Sequence, residues 1–210
     1  IFLQELARNK VVLSILLTTL FLANSCKKIE KKSTEITKKG YTLSAEATAV
    51  NWTAFKTTDK VPVKGTFEKL IIENSKKSAT KIEALNNIKF NIPVNSLFTN
   101  DSIRDGKLKK FFFGTMSNTS NLTGTIKIAD ETTGFVELKM NAIAHKLPIT
   151  YSIIDKEVTI KATMNLDNWQ AQLAIKALNE VCNELHTGPD GIAKTWNEVE
   201  IEATTTLNYN

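Results

Sequence analysis

Apolar and polar residues alternate along most of the chain beyond residue 50. This period of two places successive side chains on opposite faces of a strand, and it is typical of antiparallel sheets with one solvated face. Eight such runs in one domain predict a mostly β, antiparallel barrel or sandwich. The runs span residues 50–55, 66–72, 88–95, 122–128, 136–142, 147–153, 158–166 and 199–209.

Two segments interrupt this alternation and predict short helices beside the barrel. Residues 102–113 are charged at first and aromatic at the end. Further along, apolar residues recur at helical spacing, namely Trp169, Leu173, Ala177, Leu178 and Val181. Asp167 or Asn168 would cap the start of this second helix by accepting hydrogen bonds from unpaired backbone N–H groups. The sequence TGPDG at residues 187–191 predicts a turn.

The net positive charge of the chain comes from its first forty residues. Of the net charge of +5, residues 1–26 carry +1 and residues 27–40 carry +4, which leaves residues 41–210 neutral. A nucleic-acid-binding protein needs a concentrated basic surface on its folded part. We therefore predict no nucleic-acid binding, and we interpret residues 27–40 as a flexible basic tether that faces a membrane.

The first twenty-five residues have the features of a signal peptide. Arg8 and Lys10 precede the uncharged residues 11–25, a segment too short for a transmembrane helix of about 20 apolar residues. The ending LANSC, residues 22–26, resembles the lipobox at which bacterial lipoproteins are cleaved and acylated. We predict lipidation of Cys26 and a lipid-anchored protein of the cell envelope, on the periplasmic side of a membrane or at the cell surface.

Alternatives to this anchor remain open from the sequence. The segment is also compatible with an ordinary signal peptide before a chance cysteine, or with an uncleaved anchor helix. Cys26 and Cys182 are the two cysteines of the chain, and a disulfide between them would compete with lipidation. In the preferred interpretation Cys182 is a free thiol. The chain then divides into a signal peptide, a lipidated tether and one folded domain, residues 1–25, 26–40 and 41–210.

Residue patterns of catalytic sites are nearly absent. Of the two histidines, His145 lies where two strand runs are expected to turn, at residues 144–146, and His186 lies just before residues 187–191. Neither accompanies a nucleophile motif, a zinc-type Cys/His spacing or a glycine-rich phosphate loop. We therefore expect no enzymatic activity, no metal and no conventional cofactor, with both histidines structural.

Charged and aromatic residues are densest at residues 100–113. Arg104 is followed by Phe111, Phe112 and Phe113, and three consecutive Phe side chains cannot all point the same way. One interpretation is a loop that plugs the core, with its charges paired to one another. The other is a lid whose Phe cluster lines an apolar cavity while Arg104 contacts a polar head group. Barrels of about eight strands can enclose one ligand.

Several short motifs, each present once, follow one another along the folded domain. They are YTL at 41–43, VNWTAFK and VKGTF at 50–56 and 63–67, the segment 95–112 with Arg104, Asp105, Leu108, Phe111 and Phe112, TGTI at 123–126, and WNEVEI at 196–201. Together they resemble the YceI-like family of periplasmic, polyisoprenoid-binding proteins. The chain departs from the family at Gly106 and Lys107, where members often carry a His, and at residues 113–116, where an acid and a Tyr-Pro step are usual.

The resemblance implies a lipocalin-like antiparallel β-barrel of about eight strands, with one or two short helices and a long apolar pocket. It also implies a bound amphiphile with a prenyl tail, such as a quinone or polyprenyl lipid. A hydrocarbon tail gains about 25 cal/mol for each Å² removed from water. We predict one elongated cavity with Arg104 at its mouth. Its candidate lining residues are Trp52, Phe67, Phe90, Ile92, Phe98, Phe111, Phe112, Met116, Leu138 and Met140.

A different class of function remains as the alternative. In it the chain is a structural or interaction lipoprotein whose barrel is filled by its own side chains and holds no ligand. A continuous apolar cavity would favour lipid binding, and its absence would favour the filled barrel. A hydrolase or isomerase is a third class, disfavoured because no nucleophile or metal set is present. The sequence leaves the oligomeric state open, a homodimer included.

Overall fold

A computed structural model describes residues 39–46 and 48–210. The predicted signal peptide, Cys26 and the predicted tether up to residue 38 lie outside these residues. The described strands are β1 (Tyr41–Leu43), β2 (Ala49–Lys56), β3 (Val61–Phe67), β4 (Ile71–Ile72), β5 (Lys89–Pro93), β6 (Leu97–Phe98), β7 (Asn121–Ile128), β8 (Thr133–Met140), β9 (Ile143–Ile154), β10 (Glu157–Asn165) and β11 (Thr195–Tyr209). Eight of them have five residues or more, which confirms the predicted barrel of about eight strands.

The strands form one antiparallel sheet with the order β4-β5-β7-β8-β9-β10-β11-β2-β3-β6, and β1 pairs with the end of β11. From β7 to β10 the strands follow one another as a meander of hairpins, and β11 pairs with β10 after the helical residues 166–186. Strand β2 then joins β11, so that the first long strand of the domain pairs with the last. This long-range pairing brings the motifs of both ends of the domain into one wall.

The two ends of the sheet meet because the chain itself connects them. A single 3₁₀ turn, Val94–Ser96, leads from β5 near one end of the sheet to β6 at the other. There the Glu68 N–H donates to the Ser96 carbonyl oxygen over 2.9 Å. The described strands β4 and β6 form no ladder with each other, so the sheet curls into a barrel that is closed by covalent connection rather than by pairing.

One face of every long strand points into the barrel, as the alternation predicts. Cross-strand partners share this inward face, as in Val50 opposite Phe67 and Val136 opposite Ile126. On β9 the inward residues Leu147, Ile149 and Tyr151 are buried, whereas their neighbours along the strand are exposed. The buried inward residues form one hydrophobic core that fills most of the barrel.

In the part of the chain that the structure describes, four α-helices cover parts of this barrel: α1 (Lys81–Leu85), α2 (Ser102–Lys107), α3 (Gln172–Val181) and α4 (Asn183–His186). Asp101 caps α2 by accepting hydrogen bonds from the backbone N–H groups of Ile103 and Arg104 at 3.0 Å each. The chain then continues through a π-helical turn, Leu108–Phe112, and a 3₁₀ turn, Phe113–Thr115. Tightening of the helix after the π turn allows Phe112 and Phe113 to be buried together, with ring centroids 4.9 Å apart.

Two local predictions are wrong. Neither Asp167 nor Asn168 caps α3, because residues 166–169 form a separate 3₁₀ turn and Gln170 has a left-handed backbone with φ of 52°. His145 is also not in a turn. The chain reverses three to four residues earlier, where Asn141 and Ala142 adopt φ values of 51° and 58°, a backbone typical of two-residue hairpin turns. His145 therefore lies in β9, opposite Leu138.

Candidate functional site

The interior of the barrel contains two adjoining apolar cavities. The first, here called the distal cavity, has a volume of about 130 Å³ and is lined by residues that include Phe90, Ile92 and Leu138. The second, the central cavity, measures about 100 Å³ and is lined by residues that include Trp52, Phe112 and Met140. Both walls are almost wholly hydrophobic, since threonines and the indole N–H groups of two tryptophans are their only polar side-chain groups among the described residues.

Four side chains separate the two cavities and belong to the wall of both. They come from three sides of the barrel: Phe67 on β3, Leu122 on β7, and Met164 and Ile201 on the neighbouring strands β10 and β11. We call them the partition. The predicted single elongated cavity is therefore divided in two, and the four partition residues lie where the two cavities adjoin.

Two aromatic side chains of the site lie over glycines of the neighbouring strand. Trp52 pairs with Gly65, and Phe90 pairs with Gly124. A Cβ atom added to Gly65 would lie 2.6 Å from Trp52 Cε2, and one added to Gly124 would lie 2.5 Å from Phe90 Cζ. Since real Cβ atoms do not approach so closely, the two glycines are what allows these rings to lie flat against the barrel wall.

A third, more polar cavity borders the central one. This rim pocket measures about 210 Å³ and takes much of its wall from α2, α3 and α4. It shares five lining residues with the central cavity, namely Trp52, Ala54, Leu108, Leu178 and Thr195. The helices bring charged side chains to its edge, so that the three cavities form a series from a polar rim to an apolar interior.

Three cations and one carboxylate line the rim pocket. Lys107 Nζ donates to the Val181 carbonyl oxygen over 3.2 Å, and Lys56 Nζ donates to the Leu185 carbonyl oxygen over 3.0 Å. Arg104 forms a salt bridge of 3.4 Å with Asp101. The lysines thus stabilise carbonyls at the ends of α3 and α4, and each keeps further N–H donors for another partner.

His186 is half-buried in this pocket and is held by side chains of neighbouring elements. Its Nδ1 lies 2.7 Å from Thr195 Oγ1, and Thr195 Oγ1 donates to Asn179 Oδ1 over 2.8 Å. Burial, together with the charges of Lys56 and Lys107, lowers the pKa of His186 from 6.5 to about 4. The imidazole is therefore neutral at pH 7. Burial also raises the pKa of the Cys182 thiol in the same pocket.

Seven of the sequence-predicted binding residues line the two inner cavities. Phe67, Phe90, Ile92 and Leu138 line the distal cavity, and Phe67 also lines the central cavity with Trp52, Phe112 and Met140. Arg104 lies at the rim pocket, as expected for a residue at the mouth. It is largely exposed, so it does not need the buried partner that a lone buried charge requires.

The other three predicted residues lie apart from the inner cavities. Phe98 points outward from β6, because its buried neighbour Leu97 takes the inward position, and it borders an open groove of about 1200 Å³ on the outer sheet face. Phe111 is only half-buried, and Lys110 Nζ lies 5.1 Å from its ring centroid. Met116 is buried in the core but lines neither inner cavity.

Several residues of the site carry no signal that the alternation could detect. The partition residues Leu122, Met164 and Ile201 look like ordinary core positions, and Lys56, Cys182 and Thr195 meet only after folding. One helix of the site could have been predicted from a capping motif in the sequence. Thr80 and Glu83 have the spacing of a capping box, and both hydrogen bonds of that box are present at the start of α1. Leu85 at the end of α1 lines the distal cavity.

Two further features concern the described residues alone. Within 39–46 and 48–210, no helix combines the length and apolar character needed to cross a membrane. The same residues contain no group of three or more His, Cys, Asp or Glu side chains placed to hold a metal ion. The chemistry that the site offers there consists of apolar walls with hydrogen-bond donors and cations at one end.

Comparisons with known proteins agree with this geometry. The sequence matches the YceI-like domain over residues 41–207. A polyisoprenoid-binding domain from Saccharophagus degradans superposes with a TM-score of 0.59 at 14% identity, covering 82% of this chain and 100% of that one. BcnA of Burkholderia cenocepacia superposes with a TM-score of 0.53 at 12% identity, covering 79% of this chain and 99% of that one.

At such low identities, the two structures establish the common fold and nothing more. No curated protein sequence matches the chain. The domain match, however, extends from β1 into β11 and spans well over half of the chain. The chain therefore belongs to the YceI-like domain family.

Proposed function

We propose that this protein binds an amphiphile with a long apolar, isoprenoid-type tail, with the tail inside the barrel and the head group at the rim pocket. The observation that carries the proposal is the series of three cavities, apolar in the distal and central cavities and polar at the rim. A dry hydrocarbon wall favours a tail in proportion to the apolar area that leaves water. No catalytic group is required for this function.

The family supports the same ligand class. A relative of the same fold, the domain from Saccharophagus degradans, is a polyisoprenoid-binding domain. An isoprenoid tail is a chain of methyl-branched units that suits a wall of Leu, Ile, Val and Phe side chains, since such a wall offers dispersion contacts and no unpaired polar groups.

The volumes require the partition to move when a long tail binds. A cavity of about 150 Å³ holds one benzene-sized molecule, and drug-sized ligands occupy pockets of about 300–1,000 Å³. The distal and central cavities, at about 130 and 100 Å³, are each too small for a long chain. Met164 is flexible and Phe67 can change rotamer, so rotation of these side chains would join the cavities into one channel.

Mass spectrometry of lipid extracted from the protein, purified from its own cells, tests the proposal. We expect an isoprenoid-tailed lipid in stoichiometric amounts. Phe112→Asp should keep the β circular dichroism and lose most of this lipid, because the carboxylate would face the tail in a dry cavity. Phe111→Asp is the matched control, since Phe111 is half-buried outside the cavities, and it should keep the lipid.

The filled-barrel alternative makes the opposite prediction. Wild-type protein would carry no lipid, and Phe112→Asp would unfold because Phe112 is a core residue without a ligand role. Its basis is the partition itself, which leaves no continuous channel in the described side-chain arrangement. Lipid-free wild-type protein that also fails to bind added isoprenoids would refute lipid binding.

We also propose that the chain is an exported lipoprotein anchored in the cell envelope through acylated Cys26. The support is the uncharged segment 11–25 that ends in LANSC, followed by the basic residues 27–40. Metabolic labelling with a fatty-acid probe should label the wild-type protein and leave Cys26→Ser unlabelled and released from the membrane fraction. Cys182→Ser serves as the control and should keep its label. Wild-type protein without label would contradict the anchor.

A further inference from the structure

Among the three tryptophans of the chain, Trp52 differs in how its indole N–H is used. Trp169 Nε1 donates to the Leu138 carbonyl oxygen over 3.0 Å, and Trp196 Nε1 donates to the Thr57 carbonyl oxygen over 2.7 Å. Trp52 Nε1 is buried, and none of the described residues offers it a hydrogen-bond partner. A buried N–H that has lost water without gaining an acceptor is destabilising, so such a group calls for a physical reason.

The position of Trp52 gives a physical reason for its unpaired N–H. Only 8% of the residue is exposed, and it lines both the central cavity and the rim pocket. Gly65 on the neighbouring strand leaves room for its ring and fixes the ring against the wall. A ligand that extends from the rim pocket into the central cavity would therefore have to pass the indole.

Two other buried polar atoms without a partner lack this placement. Thr57 Oγ1 and Asn91 Oδ1 are also unpaired among the described residues, but neither residue lines the distal cavity, the central cavity or the rim pocket. Trp52 thus combines two independent features, an unused buried donor and a place on the wall between a polar pocket and an apolar cavity.

We propose that Trp52 Nε1 donates a hydrogen bond to an oxygen atom of the bound amphiphile. This inference rests on the proposed function and narrows its ligand class. The tail must be joined to an acceptor oxygen, as in a carbonyl, hydroxyl or phosphate group, and a pure hydrocarbon is not the preferred ligand. The oxygen lies where the central cavity meets the rim pocket, which places the remaining head group near Lys56, Arg104 and Lys107.

Nuclear magnetic resonance of the ¹⁵N-labelled full-length chain tests this contact directly. Three indole N–H signals are expected from the three tryptophans. The probes share a farnesyl-type tail and differ in head group: farnesylacetone with a neutral carbonyl, farnesyl phosphate with an anionic head, and farnesene with no oxygen. Farnesylacetone or farnesyl phosphate should move the Trp52 indole proton downfield, and farnesene should bind without that shift. The oxygenated probe that produces this shift identifies the kind of head group that the site binds.

Affinity measurements with the same probes separate the hydrogen bond from a packing role of the ring. The wild-type chain should prefer the better oxygenated probe over farnesene by about tenfold, the value of one good hydrogen bond. Trp52→Phe keeps an aromatic ring and should lose this preference. Trp196→Phe is the matched control, since Trp196 also lines the central cavity but uses its N–H within the protein, and it should keep the preference.

The outcomes distinguish this inference from the function on which it rests. If none of the three probes binds, the proposed lipid binding fails and the Trp52 contact fails with it. If all three bind equally and the Trp52 signal moves no more with oxygenated probes than with farnesene, lipid binding stands and the Trp52 contact is overturned. A Trp52→Phe variant that keeps the wild-type preference overturns it as well.

Discussion

The distal cavity and the rim pocket belong to the same barrel but differ in how their walls are built. Strands supply most of the distal wall, with Leu85 of α1 added, and every one of those strands presents its apolar face. The rim pocket takes more than half of its wall from α2, α3, α4 and their flanking turns, and these bring Arg104, Lys107 and His186. Sheet alternation thus makes the distal cavity apolar, whereas the helices at the other end add charged and polar side chains.

The largest effect is expected at the partition between the distal and central cavities. Phe67→Ala should destabilise the ligand-free protein by about 3–5 kcal/mol, because it removes a buried ring and merges two small cavities into a larger one. Denaturant unfolding measures the loss. Added isoprenoid ligand should recover part of it, since the enlarged cavity gains a partner that the native state alone binds.

Phe98→Ala is the matched control for this experiment. Phe98 is 39% exposed on the outer sheet face, and its strand pairs with the strand that carries Phe67. The substitution should change stability by about 0.5 kcal/mol or less and should leave ligand binding unchanged. Equal destabilisation by the two alanine variants would contradict the assignment of Phe67 to the partition.

Two leucines allow the distal cavity and the rim pocket to be compared directly. Leu85 is fully buried in the distal wall, whereas Leu185 at the rim pocket is 61% exposed. Leu85→Ala should therefore cost about 2–5 kcal/mol of unfolding free energy, and Leu185→Ala should cost about 0.5 kcal/mol or less. Thermal unfolding of both variants tests the prediction. A large effect at Leu185 would mean that the rim is as tightly packed as the distal end.

The distal end could be predicted from the sequence to a large extent. The alternation predicts that Phe90, Ile92 and Leu138 share the inward face, because strands with one buried face reveal that face by alternation, and all three line the distal cavity. The alternation did not reveal that Phe98 points outward, since β6 has only two residues and offers too short a pattern. The partition was equally hidden, because Leu122 and Met164 resemble any other inward residue until the cross-strand geometry is known.

Most of the rim pocket could not be predicted from the sequence. The charged segment 100–105 indicates Arg104 as a candidate, but Lys56, Cys182 and His186 come from distant segments that meet only in the fold. The chemistry of these side chains depends on their burial and on the distances between them, and a local sequence pattern indicates neither. The helix in this region was expected, yet its start was misplaced because the left-handed Gln170 separates it from the preceding turn.

Gly65→Ala should have a smaller effect than the partition and Leu85 variants. The added Cβ would overlap the Trp52 ring and push it from the wall between central cavity and rim pocket, at a cost of about 1–3 kcal/mol. Gly106→Ala is the control, because no atom lies within 4 Å of its added Cβ and the residue is in α2. Gly106→Ala should stabilise the folded protein by about 0.5–1 kcal/mol. Equal shifts in the unfolding midpoint would argue against the tight contact at Gly65.

The rim pocket is also expected to give the protein a pH-dependent stability. Since burial and the charges of Lys56 and Lys107 lower the pKa of His186 to about 4, the unfolded chain binds a proton more tightly than the folded chain. Between pH 6.5 and 4 the unfolded state therefore holds more protons, and stability falls as the pH is lowered through this window. Above pH 6.5 the contribution of neutral His186 is fully present.

Unfolding free energies measured from pH 4 to pH 8 test this dependence. The wild-type chain should lose stability on acidification with a slope of at most one proton from this group, and His186→Asn should lose that part of the slope while its β circular dichroism remains. His145→Asn, at the exposed histidine of β9, is the matched control for the change from histidine to asparagine. Identical curves for His186→Asn and wild type would mean that the imidazole titrates freely, and the rim pocket would then be more open to water than its hydrogen bonds to Thr195 and Asn179 indicate.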